Sequence, residues 1–94
     1  MGFSTGDVVL STAGRDRGRL FFVLEAGGGF VTLADGKVRK LERPKRKNEK
    51  HVRKVSQSDT LVAGKLRAGQ KVLNSELRKD LAILGQASPD QGGE

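Results

Sequence analysis

Hydrophobic and polar positions divide the chain into two parts with different periods. From Asp7 to about Leu41, apolar residues come in short clusters separated by glycines, the pattern of strands and tight turns. Asp7-Val8-Val9-Leu10-Ser11-Thr12, flanked by Gly6 and Gly14, predicts a first strand. Arg19 to Glu25 (Arg-Leu-Phe-Phe-Val-Leu-Glu) is too short for a typical helix and predicts a buried strand. Phe30 to Ala34 predicts a third, after a turn at Gly27-Gly28-Gly29. Asp35-Gly36 is the strongest hairpin signal and favours a type I′ turn, with Val38 to about Leu41 pairing back. Pro44 then ends that strand or sits on a sheet edge. A fifth short strand is expected near Lys50 to Val55, although Val52 and Val55 fall on opposite faces.

Four or five short strands in so few residues predict a mainly β fold, a small closed or nearly closed barrel. Its core would draw on Val8, Leu10, Leu20, Phe22, Leu24, Val31, Leu33 and Val38. Phe21 and Val23 face the other side of their strand, where the C-terminal part of the chain would cover them. There the period changes. Ser58 or Asp59 is placed to cap a helix running to about Ala68, with Leu61, Val62 and Leu66 on one side. Gly64 weakens it by about 1 kcal/mol relative to Ala, and Gly69 ends it. Asn74 or Ser75 would cap a second helix, where Leu77, Leu81 and Leu84 recur at i, i+4 and i+7. Gly85 stands where a C′ residue belongs. The leucine face packs on the barrel in the simpler reading and docks a protein partner in the other. The organisation expected is a barrel with a basic ribbon over 1–55, a short helical pair over 56–86 and a disordered tail over 87–94.

Composition narrows the chemistry. The chain has 94 residues, enough for one small domain, no cysteine and one histidine, His51. That excludes a thiolate or multi-histidine metal site and any Cys–His catalytic set. A binding protein without metal or cofactor is expected, rather than an enzyme. The start, Met1 to Gly6, has neither a positive region nor an apolar run, so the cytoplasm is the expected location and no membrane partner is expected.

Charge changes the picture most. The net charge is +7. Residues 37–54 hold ten basic residues against two acids, which is +8, while 1–36 carry −1 and 55–94 carry zero. One stretch therefore accounts for the whole excess. A solvated basic linker is the bland reading. The interspersed Val38, Leu41, Val52 and Val55 favour a solvent-facing ribbon that displays Lys and Arg to phosphates. In that reading Arg15, Arg17 and Arg19 form one side of a phosphate-binding face. Lys37, Arg39, Lys40, Arg43, Lys45, Arg46, Lys47, Lys50 and Arg53 form the other. Asp16 either orients the loop arginines or makes a surface ion pair worth little, the simpler reading. The four Phe are core residues except Phe3, the one candidate exposed ring, so backbone and shape recognition of folded RNA is favoured over base stacking. His51 lies in the basic stretch with no Ser or Cys partner nearby in sequence.

The segment Gly6-Asp7-Val8-Val9-Leu10-Ser11-Thr12-Ala13-Gly14-Arg15-Asp16-Arg17-Gly18-Arg19 resembles a KOW motif: a hydrophobic strand, a glycine-containing basic loop, a glycine (Gly18) and a second hydrophobic strand. The likeness runs from about Asp7 to Ala34. The continuation Ala34-Asp35-Gly36-Lys37-Val38-Arg39-Lys40, Arg43-Pro44-Lys45-Arg46-Lys47-Asn48 and Lys50-His51-Val52 narrows it to small bacterial KOW-domain RNA-binding proteins. These are akin to the eukaryotic and archaeal large-subunit ribosomal proteins of the "fourteen-e" type. The resemblance implies an SH3-like β-barrel followed by a short helical pair, with structured RNA, ribosomal above all, as partner. It also implies RNA contact by the loop Ala13 to Arg19. The ribosomal relatives carry longer C-terminal extensions, so association with the ribosome is implied more strongly than residence in it. The alternative is a KOW or SH3-like protein-interaction module of the transcription or translation machinery. DNA binding ranks third, because the second helix offers only Arg78 and Lys79.

Overall fold

The computed structural model describes residues 2–57 and 60–87. Its elements are β1 (Asp7–Ser11), β2 (Leu20–Gly27), β3 (Phe30–Ala34), β4 (Lys45–Asn48), a 3-10 turn (Glu49–His51), β5 (Val52–Gln57), α1 (Leu61–Arg67) and α2 (Asn74–Ala87). The strands form one curled antiparallel sheet, a half-barrel, in the order β4-β3-β2-β1-β5. β4 and β5 are its edges, so no ladder between them closes the barrel that the strand count suggested. No helix among the described residues is long and apolar enough to cross a membrane.

Strand pairing decides which side chains share a face. Val8 stands opposite Phe22, and Phe22 opposite Ala34. Val9 stands opposite Phe21, and Val23 opposite Leu33. A register shift after Val23 bends β2 and aids the curl. Phe21, Val23, Val9, Val31, Leu33 and Val52 fill one side of the sheet, with Phe3 and Ala26 packed at its margin. Val8, Phe22 and Ala34 fill the other with Val62, Ala63, Val72, Leu77 and Leu81 from the helical part. The two faces are thus reversed from the expected arrangement: the helices cover Phe22, not Phe21 and Val23. Val31 and Leu33 lie with Phe21, and Val38 is 46% exposed rather than core. Both faces of β2 are buried from Phe21 to Val23, which is why that half of the strand is a continuous apolar run. Each fully buried Phe or Leu contributes about 1.5–3 kcal/mol.

The expected hairpin at Asp35-Gly36 does not form. A type I′ turn needs positive φ at both central residues, and among the described residues only glycines have one, so Asp35 does not. Asp35 instead folds its own loop. Its Oδ1 accepts the backbone N–H groups of Lys37 (2.9 Å) and Arg39 (2.8 Å), and the Arg39 carbonyl accepts the N–H of Asp35 (2.8 Å). Residues Val38 to Leu41 are therefore not a strand. The partner of β3 comes after Pro44, with Leu33 opposite Lys45 and Phe30 opposite Asn48.

The start of α2 holds this loop in place. Asn74 Oδ1 accepts the N–H of Leu41 (2.8 Å), and Asn74 Nδ2 donates to Glu42 (2.9 Å). Gly36, at φ +77°, lies so close that a Cβ there would collide with the Asn74 carbonyl. Asn74 is thus the first helical residue, occupied with the loop, rather than the cap. Glu76 reaches back to accept the N–H of Leu73 (2.9 Å) and binds Lys65 Nζ (2.8 Å). The Lys65 ammonium and the Leu73 N–H hold the Glu76 carboxyl below its ordinary pKa. The Asn74 amide does the same for Glu42. α1 starts at Leu61, capped by Thr60, whose Oγ1 accepts the N–H of Ala63 (3.2 Å). Ser58 and Asp59, the expected caps, lie outside the described residues, as does the expected disordered tail beyond Ala87. Gly85 lies within α2 rather than beyond its end.

Candidate nucleic-acid interface

The loop between β1 and β2 turns through Gly14 and Gly18, both at positive φ. Backbone bonds from Arg17 N–H to Gly14 (3.2 Å), Arg19 N–H to Asp16 (2.9 Å) and Gly18 N–H to Ser11 (2.9 Å) make it compact. Arg15, Arg17 and Arg19 are exposed, whereas Asp16 between them is 3% exposed. Its Oδ2 lies 3.5 Å from Arg39 Nη2 and 3.6 Å from Lys45 Nζ. Asp16 is therefore neither an orienter of its neighbouring arginines nor a surface pair. It is a buried anion joining the first loop to two cations from beyond β3. Neither Asp16 Oδ2 nor Arg39 Nε has a hydrogen-bond partner among the described residues, so these contacts are charge proximity rather than hydrogen bonds.

Lys47 is tied more tightly. It is 8% exposed, and its Nζ donates to the Ala13 carbonyl at 2.7 Å. Opposite Val31 in the ladder, it shares that residue's side of the sheet, from which a long side chain reaches the first loop. Arg46, on the alternate side of β4, is exposed and holds its guanidinium 4.0 Å over the Phe30 ring. Phe30 is accordingly half-buried rather than core, and Phe3 is half-buried rather than an open ring. The Lys45-Arg46-Lys47 run is thus not one solvent-facing ribbon. Lys54 pairs with the buried Asp7 at 3.2 Å.

Eight of the twelve expected cations stay open. Arg15, Arg17, Arg19, Lys37, Lys40, Arg43, Lys50 and Arg53 are exposed and make no ion pair with described residues. Arg17 and Arg53 line one opening of about 240 Å³ beside Ser11 and Thr12. Arg19 and Lys37 line a larger groove of about 450 Å³. Arg78 of α2 lines it too and is fixed by a 2.7 Å bond from Nη1 to the Gly36 carbonyl. Sequence reasoning missed Arg78, because it sits in a segment of zero net charge far from the basic stretch. Among the described residues no hydrogen bond or ion pair ties Lys40, Arg43 or Lys50 to the loop that carries Arg15, Arg17 and Arg19. His51 is exposed, and its backbone carbonyl accepts the Thr12 N–H at 2.8 Å. No group of His, Cys, Asp and Glu among the described residues could hold a metal ion.

Compared with known proteins, the chain matches no protein-family model, and a search of curated proteins finds no significant match.

Proposed function

We propose that the protein binds structured RNA, with ribosomal or ribosome-associated RNA the first candidate, through a basic face of an SH3-like barrel of KOW type. The observation that carries this is the meeting of two basic segments distant in sequence. The first loop presents Arg15, Arg17 and Arg19 outward, while its inner side is bound to Arg39, Lys45 and Lys47. Arg17 then shares an opening with Arg53, and Arg19 shares one with Lys37. Affinity for phosphate backbones grows with the number of phosphates neutralised together, and clustered guanidinium groups can fork onto phosphate oxygens. The aromatic rings are buried, half-buried or covered by Arg46, which favours contact with backbone and shape over base stacking.

The test is binding of a folded RNA hairpin, followed by fluorescence anisotropy across a salt series. A log–log slope of roughly −3 to −6 is expected for a handful of neutralised phosphates. The triple variant Arg15→Ala, Arg17→Ala, Arg53→Ala alters only exposed side chains and should flatten the slope by about three while leaving the melting temperature unchanged. A salt-independent affinity, or a triple variant that binds normally, would refute the phosphate face.

A protein-interaction module is the second reading. It draws on Leu61, 85% exposed at the start of α1. A protein partner that survives nuclease and high salt in a pull-down, with no RNA co-purifying, would favour it.

A further inference from the structure

The groove lined by Arg19, Lys37 and Arg78 has a composition that a simple phosphate site does not need. Three cations converge on it from three separate parts of the chain: the first loop, the loop after β3, and α2. A carboxylate, Asp35, lines the same groove. One of its oxygens is taken by the N–H groups of Lys37 and Arg39, and the other has no hydrogen bond or ion pair among the described residues. Leu20 and Leu81 supply aliphatic surface between the charged groups. Cations bind a phosphate, a carboxylate accepts hydrogen bonds from sugar hydroxyls, and aliphatic carbon packs on the face of a ribose. The volume, about 450 Å³, falls within the range of small-ligand sites.

We propose that this groove seats one ribose–phosphate unit of the bound RNA, with the phosphate on Arg19, Lys37 and Arg78 and the ribose 2′-hydroxyl on Asp35. The inference rests on the RNA-binding reading above and gives α2 a part in it. The site is preorganised. Arg78 is held by the Gly36 carbonyl at 2.7 Å, which uses one of its five N–H donors and leaves the others for a ligand. Gly36 is in turn packed against Asn74, so the loop that carries Asp35 and Lys37 is in direct contact with the helix that carries Arg78. A 2′-hydroxyl bound at Asp35 would separate RNA from DNA at a site where phosphate contacts alone cannot.

The experiment uses the full chain and the same hairpin RNA, its all-2′-deoxy counterpart, and adenosine 5′-monophosphate as the free-nucleotide control. Ala82→Glu puts a carboxylate at the rim of the groove from an exposed helical position, where Glu is a good helix former. It should weaken hairpin RNA binding at least tenfold at unchanged melting temperature. Lys37→Gln, which breaks no contact in the fold, should lower the salt slope by about one. Asp35→Asn keeps an oxygen for the two backbone N–H groups and raises the net charge. Plain electrostatics would then tighten RNA and DNA alike, whereas the proposal requires the preference for RNA over the deoxy hairpin to shrink. If the wild type binds the hairpin and neither Ala82→Glu nor Lys37→Gln changes that binding, the groove is overturned and the RNA-binding reading stands. If the wild type binds no RNA, both fall. If adenosine 5′-monophosphate shifts the NMR amides of Leu81 and Ala82 while hairpin affinity ignores both variants, the groove belongs to a free nucleotide and the proposal is overturned.

Discussion

The basic residues fall into two groups that look alike in the sequence and differ in the fold. Lys47, Lys45 and Arg39 are committed inward, to the Ala13 carbonyl and to the buried Asp16. Arg15, Arg17 and Arg53 are exposed and pair with no carboxylate among the described residues. The first group holds the β1–β2 loop against β4 and the loop before it. The second group is what an anionic partner meets. Net charge therefore overstates the charge available for binding, because part of it is spent inside the fold.

That division can be broken from either side. The largest effect on stability should come from Lys47→Ala. It removes a charge-assisted bond and leaves the Ala13 carbonyl without its lysine partner, a loss of about 2–3 kcal/mol. Urea denaturation measures it. The RNA salt slope should stay as in the wild type. A slope that flattens by one with stability intact would move Lys47 into the open group. Asp16→Asn should cost less, about 1 kcal/mol, since its two cations are each about one-third exposed and solvent screens the pairs. Its informative readout is RNA affinity. Removing an anion from a basic face should strengthen binding if charge were all that mattered. Loss of the tether should weaken it instead, by letting the first loop drift from β4, and an affinity that rises would refute the tether.

The smallest effect sharpens the comparison with a pair that plays no part in the basic face. Glu76 is held below its ordinary pKa first by Lys65 and then by the Leu73 N–H. A folded-state pKa below the unfolded one means that its contribution is present above the ordinary carboxylate range. That contribution is lost as pH falls through the lowered folded value. Glu76→Gln should therefore reduce stability slightly near neutral pH and make the acid limb of a urea-midpoint titration shallower. A limb of unchanged shape would show that the pair contributes nothing to folding.

Much of the strand pattern was legible along the chain. β1, β2 and β3 lie where alternating or continuous apolar runs meet glycines, and the Leu77, Leu81, Leu84 stripe does form the buried or half-buried side of α2. The local signals that failed did so for one reason: a distant group satisfied the backbone differently. Asp35-Gly36 reads as a hairpin, but the Asp35 side chain and the Asn74 amide take the N–H groups that a ladder would have used. Asn74 reads as a helix cap, but its oxygen is engaged with Leu41, and the Glu76 N–H that a cap would have taken goes to the Leu73 carbonyl. The candidate face was legible in its loop arginines and illegible at Lys47 and Asp16. Exposure and charge are correlated only on average, and one register position turned a lysine inward.

The amino-acid sequence by itself determined that the chain would be mainly β with a helical C-terminal part, where its first two turns lie, and that its excess charge is confined to one stretch. These follow from local causes: glycine's freedom at positive φ, the two periods of burial, and the count of ionised groups. Only the tertiary structure decided which face of β2 the helices cover, which cations are tied and which are open, and that Arg78 joins Arg19 and Lys37. Alternation sorts side chains into two sets but does not say what each set will face. That depends on register and on contacts between residues far apart in the chain, where burial and a single well-placed carboxylate outweigh any local preference.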